Sequence, residues 1–126
     1  MKTDILQQWI DAELTVGELL DCWGCCARSK ASGKKETLPA QLQKTFLTKK
    51  FLTKSQEELI EEMMSLFRTN HSYYFDVLKE RYCLRKLKVT AADNNDLNLA
   101  IREFKYFFTE FVELNFKELK EQEICK

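Results

Sequence analysis

Glycine and proline are scarce: three Gly and one Pro in 126 residues. That scarcity disfavours a sandwich or barrel of many short strands, whose frequent turns use both. Net charge is also missing, with 20 basic and 20 acidic side chains. No apolar run approaches the ~20 residues a membrane-spanning helix needs. The first residues carry Asp4, Asp11 and Glu13 where a secretory leader would have a basic start and an apolar centre. The expectation is a single helical domain over residues 1–126, cytoplasmic and without a membrane partner. Five cysteines, an odd number with no framework spacing, fit a reducing compartment.

The signatures of catalysis are missing too. Neither a P-loop nor a dinucleotide fingerprint occurs. The one histidine, His71, sits in a polar turn. A Ser-His-Asp or Cys-His site would need a supported nucleophile, and the pattern offers none. The paired acids Glu57/Glu58 and Glu61/Glu62 fall on a polar helix face, where nothing shifts a pKa towards acid–base work. The chain is therefore read as a non-enzyme that needs no cofactor.

What is present is apolar surface at helical spacing. Apolar residues make up 44% of the chain. Leu97, Ile101, Phe104, Phe108 and Phe111 recur at four- and three-residue steps, one face of a helix, and Phe107, Val112 and Phe116 widen that face. Each ring has about 150–250 Å² to bury, so other helices must cover it. Amphipathic patterns at 4–14, 16–28, 56–68 and 73–87 supply the cover. The fold class expected is all-α: a compact bundle of about five helices closed by a long aromatic C-terminal helix.

Local signals set the boundaries. Thr15 to Glu18 and Ser55 to Glu58 have capping-box spacing. Residues 29–39 read as a loop, with Pro39 placed to open a helix. The near-repeat Thr45–Lys49 and Lys50–Lys54 fits a helical turn or extended chain equally, because its period of five matches neither. Residues 69–72 read as a turn, and Asn94, Asn95 and Asp96 as candidate N-caps. Trp9 and Trp23 are anchors for the core or for a protein partner.

Cys22-Trp-Gly-Cys25 has redox-motif spacing but lies in a helical pattern with no βαβ unit around it. As zinc ligands, Cys22 and Cys25 would have to recruit Cys83 and His71, and only the first pair is spaced as a knuckle. Charge is segregated although the total is zero. Residues 28–54 hold eight bases, among them Lys34, Lys35, Lys49 and Lys50, against Glu36 alone. Residues 79–88 hold Lys79, Arg81, Arg85, Lys86 and Lys88 against Glu80. These are the candidate phosphate-contacting side chains; the alternative is a pair of solvated faces.

Two stretches resemble the phage antitermination protein Q family in its smaller helical branch: Leu19-Leu-Asp-Cys-Trp-Gly-Cys-Cys-Ala-Arg-Ser29 and Tyr73-Tyr-Phe-Asp-Val-Leu-Lys-Glu-Arg-Tyr82. The final aromatic helix occupies the place of that family's last helix. The resemblance spans residues 16–112. It implies a transcription regulator that loads onto RNA polymerase near a phage late promoter, engages duplex DNA and travels with the enzyme past terminators. It also implies a helix-turn-helix after the Tyr helix. Residues 84–96 lack the Gly turn and are short for that unit, so a degenerate version is expected. The alternative is a small helical inhibitor, immunity or phage accessory protein that binds an unidentified protein and no DNA.

Overall fold

A computed structural model describes residues 2–84 and 91–124; side chains at 91–94 and 118–124 are outside the description. The aromatic C-terminal stripe becomes one helix, α6 (Ala91–Ile124), about 51 Å long at 1.5 Å per residue. Its inward face buries Ala100, Phe104 and Phe111 completely or nearly so, with Leu97, Ile101, Phe107, Phe108, Val112 and Phe116 half-buried around them. Five further helices precede it: α1 (Lys2–Asp11), α2 (Val16–Ser32), α3 (Ala40–Thr45), α4 (Lys54–Asn70) and α5 (Ser72–Leu78), the last continuing into a π-helical turn, Lys79–Cys83. The described residues contain no strand, and none of their helices is long and apolar enough to cross a membrane.

The core forms where α4, α5 and α6 meet α1 and α2. Phe67 of α4 sits at its centre, with ring centroids 5.2 Å from Phe104 and 5.5 Å from Phe107, both edge-on as the ring quadrupoles prefer. Leu6, Leu19, Leu20, Ile60, Met63 and Leu78 complete it. Polar ties fix the rim: Lys2 pairs with Glu62 at 2.8 Å, joining α1 to α4, and Tyr73 donates to Asp96 at 2.5 Å, joining α5 to α6.

Several boundaries differ from the sequence expectation. The capping box at Thr15–Glu18 forms. The second one is Thr53–Gln56, two residues before the Ser55–Glu58 spacing; Gln56 replaces Glu as the reciprocal partner and its amide also donates to the Phe46 carbonyl. α2 runs past Arg28 to Ser32, because Gly33 supplies the left-handed residue that closes it. The break expected over 69–72 shrinks to His71, whose N–H bonds the Phe67 carbonyl while its own carbonyl accepts from Phe75. α6 begins before Asn94–Asp96, so those residues lie inside the helix and do not cap it.

Of the two roles open to Trp9 and Trp23, the structure takes the core and overturns the partner-facing one. Both are core side chains. Trp9 is fully buried and meets Phe46 edge-on at 5.3 Å; Trp23 is buried and leans on Phe75 at 5.4 Å. Neither presents a ring to a partner. Their spacing placed them on amphipathic faces, and those faces point inward.

Candidate nucleic-acid interface

The chain between α2 and α4, residues 33–53, forms a lobe held by side-chain-to-backbone bonds. Ser29 Oγ accepts the Glu36 N–H at 2.8 Å and donates to the Cys25 carbonyl at 2.8 Å. The Leu38 N–H donates to the Lys50 carbonyl at 2.9 Å. That bond draws the two halves of the lobe together, so Lys34 and Lys35 share one region with Lys49 and Lys50. Gln43 Nε2 donates to the Leu38 carbonyl at 2.7 Å, and the Gln56 bond to the Phe46 carbonyl, 2.8 Å, ties the lobe to α4. Lys34, Lys35, Lys44, Lys49, Lys50 and Lys54 are all exposed.

The lobe's one acid is neutralised in place. Arg28 grips Glu36 with two parallel bonds, Nε to Oε1 at 2.8 Å and Nη2 to Oε2 at 2.9 Å, the fork geometry of a strong Arg–carboxylate pair. This pairing raises the guanidinium pKa above its ordinary value, the Glu36 hydrogen bond being the main cause. Arg28 Nη1 also donates to the Tyr82 carbonyl in the π turn. Lys30 is paired as well, with Glu61. Among the described residues Lys34, Lys44, Lys49, Lys50 and Lys54 make no ion pair.

The Thr45–Lys54 repeat is neither of the two forms its spacing allowed. After α3 the chain closes in a Schellman arrangement: the Leu47 N–H bonds the Lys44 carbonyl and the Thr48 N–H bonds the Gln43 carbonyl. Leu47 occupies the position usually given to Gly, with φ +52°. The two Phe-Leu pairs are consequently used in opposite senses. Phe46 is 1% exposed and Leu47 69%; Phe51 is 37% exposed and Leu52 7%. One aliphatic and one aromatic side chain therefore stand out on a turn rich in lysine. The Lys35 ammonium lies 5.5 Å from the Phe51 ring centroid.

The second basic stretch is only partly visible. Lys79 and Arg81 are exposed on the π turn, while Arg85, Lys86 and Lys88 lie outside the described residues, as do residues 85–90 of the expected helix-turn-helix stretch, residues 84–96. Arg81 lines a groove of about 710 Å³ between α2, the π turn and residues 36–42. That groove also holds Glu18, Asp21 and Glu36 against Arg28. Burial raises the Asp21 carboxyl above its ordinary pKa, with Arg28 opposing the shift and Glu18 adding to it. With Glu36 paired to Arg28, Glu18 and Asp21 still face Arg81 there, so this groove is a poor seat for phosphate.

The π turn packs on α2 at Gly24. A Cβ there would stand 2.3 Å from the Tyr82 carbonyl oxygen, so only glycine admits this approach. Residue type and spacing gave no sign of this contact; a lone Gly inside a helical pattern was the available signal. Glu36 was visible only in a charge count, and Arg28 in that count and in the Leu19–Ser29 stretch, with no sign that the two pair.

The candidate metal ligands are not gathered. Cys22, Cys25 and Cys83 are buried, and His71 stacks near Phe67 at 5.1 Å. Among the described residues no three His, Cys, Asp or Glu side chains are placed to hold a metal ion. Desolvation, the largest cause in each case, raises the Cys22 thiol strongly, Cys26 to about 12 and Cys83 to about 11. Such thiols carry almost no thiolate at neutral pH and are poor nucleophiles. No family model, curated protein or solved structure matches this chain.

Proposed function

We propose that the chain is a non-catalytic, cytoplasmic nucleic-acid-binding regulator that uses the 33–53 lobe to hold phosphate backbone. In the antitermination reading it works beside RNA polymerase on promoter-proximal duplex DNA. The observation that carries the proposal is the Leu38–Lys50 backbone bond, which assembles Lys34, Lys35, Lys49 and Lys50 while Arg28 neutralises Glu36. A local excess of lysine attracts a polyanion even where the net charge is zero.

The test is binding to a labelled duplex across a salt series. If each of the four lysines neutralises one phosphate, log K against log salt should fall with a slope of about −3 to −4. Replacing all four by Gln should flatten it. Absent binding, or binding indifferent to salt, would refute the proposal. Affinity capture addresses the protein partner: recovery of RNA polymerase subunits supports the antitermination reading. The second reading, an inhibitor, immunity or accessory protein, is favoured by the exposed Leu99, Tyr106 and Leu114 on α6; recovery of a different protein, with no nucleic-acid binding, would select it.

A further inference from the structure

The exposed Leu47 and Phe51 are not explained by phosphate contact, since neither bears charge. Apolar side chains held out among lysines suit an apolar surface that arrives with negative charge. A nucleobase with its phosphate is such a ligand. Aromatic rings beside cations form the platforms on which single-stranded bases stack, whereas duplex bases are already stacked on each other. The lobe also lacks what duplex reading requires: its only helix, α3, has six residues, too short to lie along a major groove with several side chains at base edges. Its cations are all lysine, with no arginine between residues 33 and 54, and lysine is a point charge without the planar fork that reads guanine. Gln43, an amide in the lobe, is occupied by the Leu38 carbonyl.

Resting on the nucleic-acid reading above, we infer that the Leu47–Phe51 turn is a sequence-tolerant stacking platform for single-stranded RNA or DNA. A base lies on the Phe51 ring beside Leu47, and Lys35, Lys49 and Lys50 take the flanking phosphates. Lys35 is already drawn to the ring by the cation–π contact. The ammonium lies over the ring, so a stacking base displaces it from that face and the freed lysine turns to the flanking phosphate. Because every base has a π face, affinity depends on strand character and salt more than on sequence.

The experiment is fluorescence anisotropy with labelled 12-nucleotide oligo-U, oligo-dT and a 12-base-pair duplex, using wild type, Phe51→Leu and Lys49→Gln/Lys50→Gln. Phe51→Leu keeps the apolar character and removes the ring. It should weaken both single strands by ~5- to 100-fold, the loss of one base–aromatic stack, and leave the duplex within twofold. The double lysine variant should reduce the salt slope for all three by about 1 to 2. Oligo-U and oligo-dT bound alike support a platform blind to the 2′-hydroxyl and to the thymine methyl; a preference for one, kept when oligo-dU replaces oligo-dT, identifies the sugar it accepts. Unchanged single-strand affinity in Phe51→Leu overturns the inference, and if salt-dependent duplex binding persists the broader function stands. No binding to any of the three at low salt overturns both. Sedimentation with phosphatidylserine vesicles, reduced by Lys49→Gln/Lys50→Gln and without oligonucleotide binding, would assign the turn to an anionic membrane and overturn both.

Discussion

Replacing Gly24 by Ala should destabilise the protein, although the same change usually strengthens a helix. Ala gains about 1 kcal/mol over Gly in a helix interior. Here the added methyl would stand 2.3 Å from the Tyr82 carbonyl oxygen and 3.0 Å from its carbon. Those are backbone atoms, so relief requires α2 and the π turn to separate. Overpacking of this kind costs about 1–3 kcal/mol. The same separation stretches the Arg28 bond to the Tyr82 carbonyl, and a bond to a charged donor contributes about 1.5–3 kcal/mol. Clash and weakened bond together exceed the propensity gain, for a net loss of about 2–3 kcal/mol. For a chain of this length that lowers Tm by roughly 7–10 °C. Gly17→Ala is the control within the same helix. Its Cβ would meet only the Thr15 hydroxyl, at 3.8 Å, so a gain of about 0.5–1 kcal/mol is expected. Urea unfolding of the two variants gives midpoints on opposite sides of wild type. A Gly24→Ala midpoint at or above wild type would refute the packing described for α2 and the π turn.

Thr53→Ala should cost about 1 kcal/mol as a lost N-cap and Ser55→Ala a few tenths at most, measured by the same unfolding curves; equal effects would put the cap elsewhere. Trp fluorescence should be shielded from iodide in the native state and become quenchable on unfolding, since Trp9 and Trp23 are both buried; native quenching would return one of them to the surface. Stability should fall steeply in alkali. Cys22, Cys26 and Cys83 have thiol pKa values raised from an ordinary 9.0. Above pH 9 the unfolded chain therefore releases protons that the folded chain retains. The stability is fully present below pH 9 and declines by up to about 4 kcal/mol per pH unit as pH approaches 11; Cys→Ser at Cys83 should flatten that decline by about a third, and an unaltered slope would contradict it. Leu47→Gly should raise stability by about 1 kcal/mol, because it relieves a left-handed leucine, while reducing single-strand affinity; a gain in stability with no loss of binding would leave the leucine without a role.

The helical architecture was readable because its signals are redundant. The α6 stripe repeats its apolar step four times between Leu97 and Phe111, so no single residue decides the outcome. Cap positions rest on one or two hydrogen bonds each. Thr53–Gln56 and Ser55–Glu58 both satisfy the spacing, and the choice is made by tertiary contact: Gln56 can also reach the Phe46 carbonyl, whereas a cap at Ser55 would leave that acceptor unmet. The tryptophans show a related limit. Periodicity tells which residues share a face but is silent on whether that face meets core or partner. The Phe-Leu repeat fails for another reason: its period of five matches no regular element, and the turn closing α3 decides which member of each pair is buried.

The site depended on charges whose partners are distant in sequence. Counting residues 28–54 gives eight bases against one acid, but the count treats every charge as equally available. In the fold Arg28 and Glu36 cancel, and Lys30 is taken by Glu61 from α4. What remains is a set of exposed lysines with no unpaired carboxylate within residues 33–53, although Glu57 of α4 lines a small cavity with Lys35 and Phe51. The cancellation matters more than the loss of one base suggests. In the proposed interface an unpaired Glu36 would sit beside Lys35 and repel the phosphate that the lysine attracts, so Arg28 would act there without touching the ligand. Arg28→Gln should then weaken polyanion binding at low salt by more than Lys30→Gln does, although each removes one positive charge. Equal losses would mean that only total charge counts, and the lobe would be reduced to a diffuse basic surface.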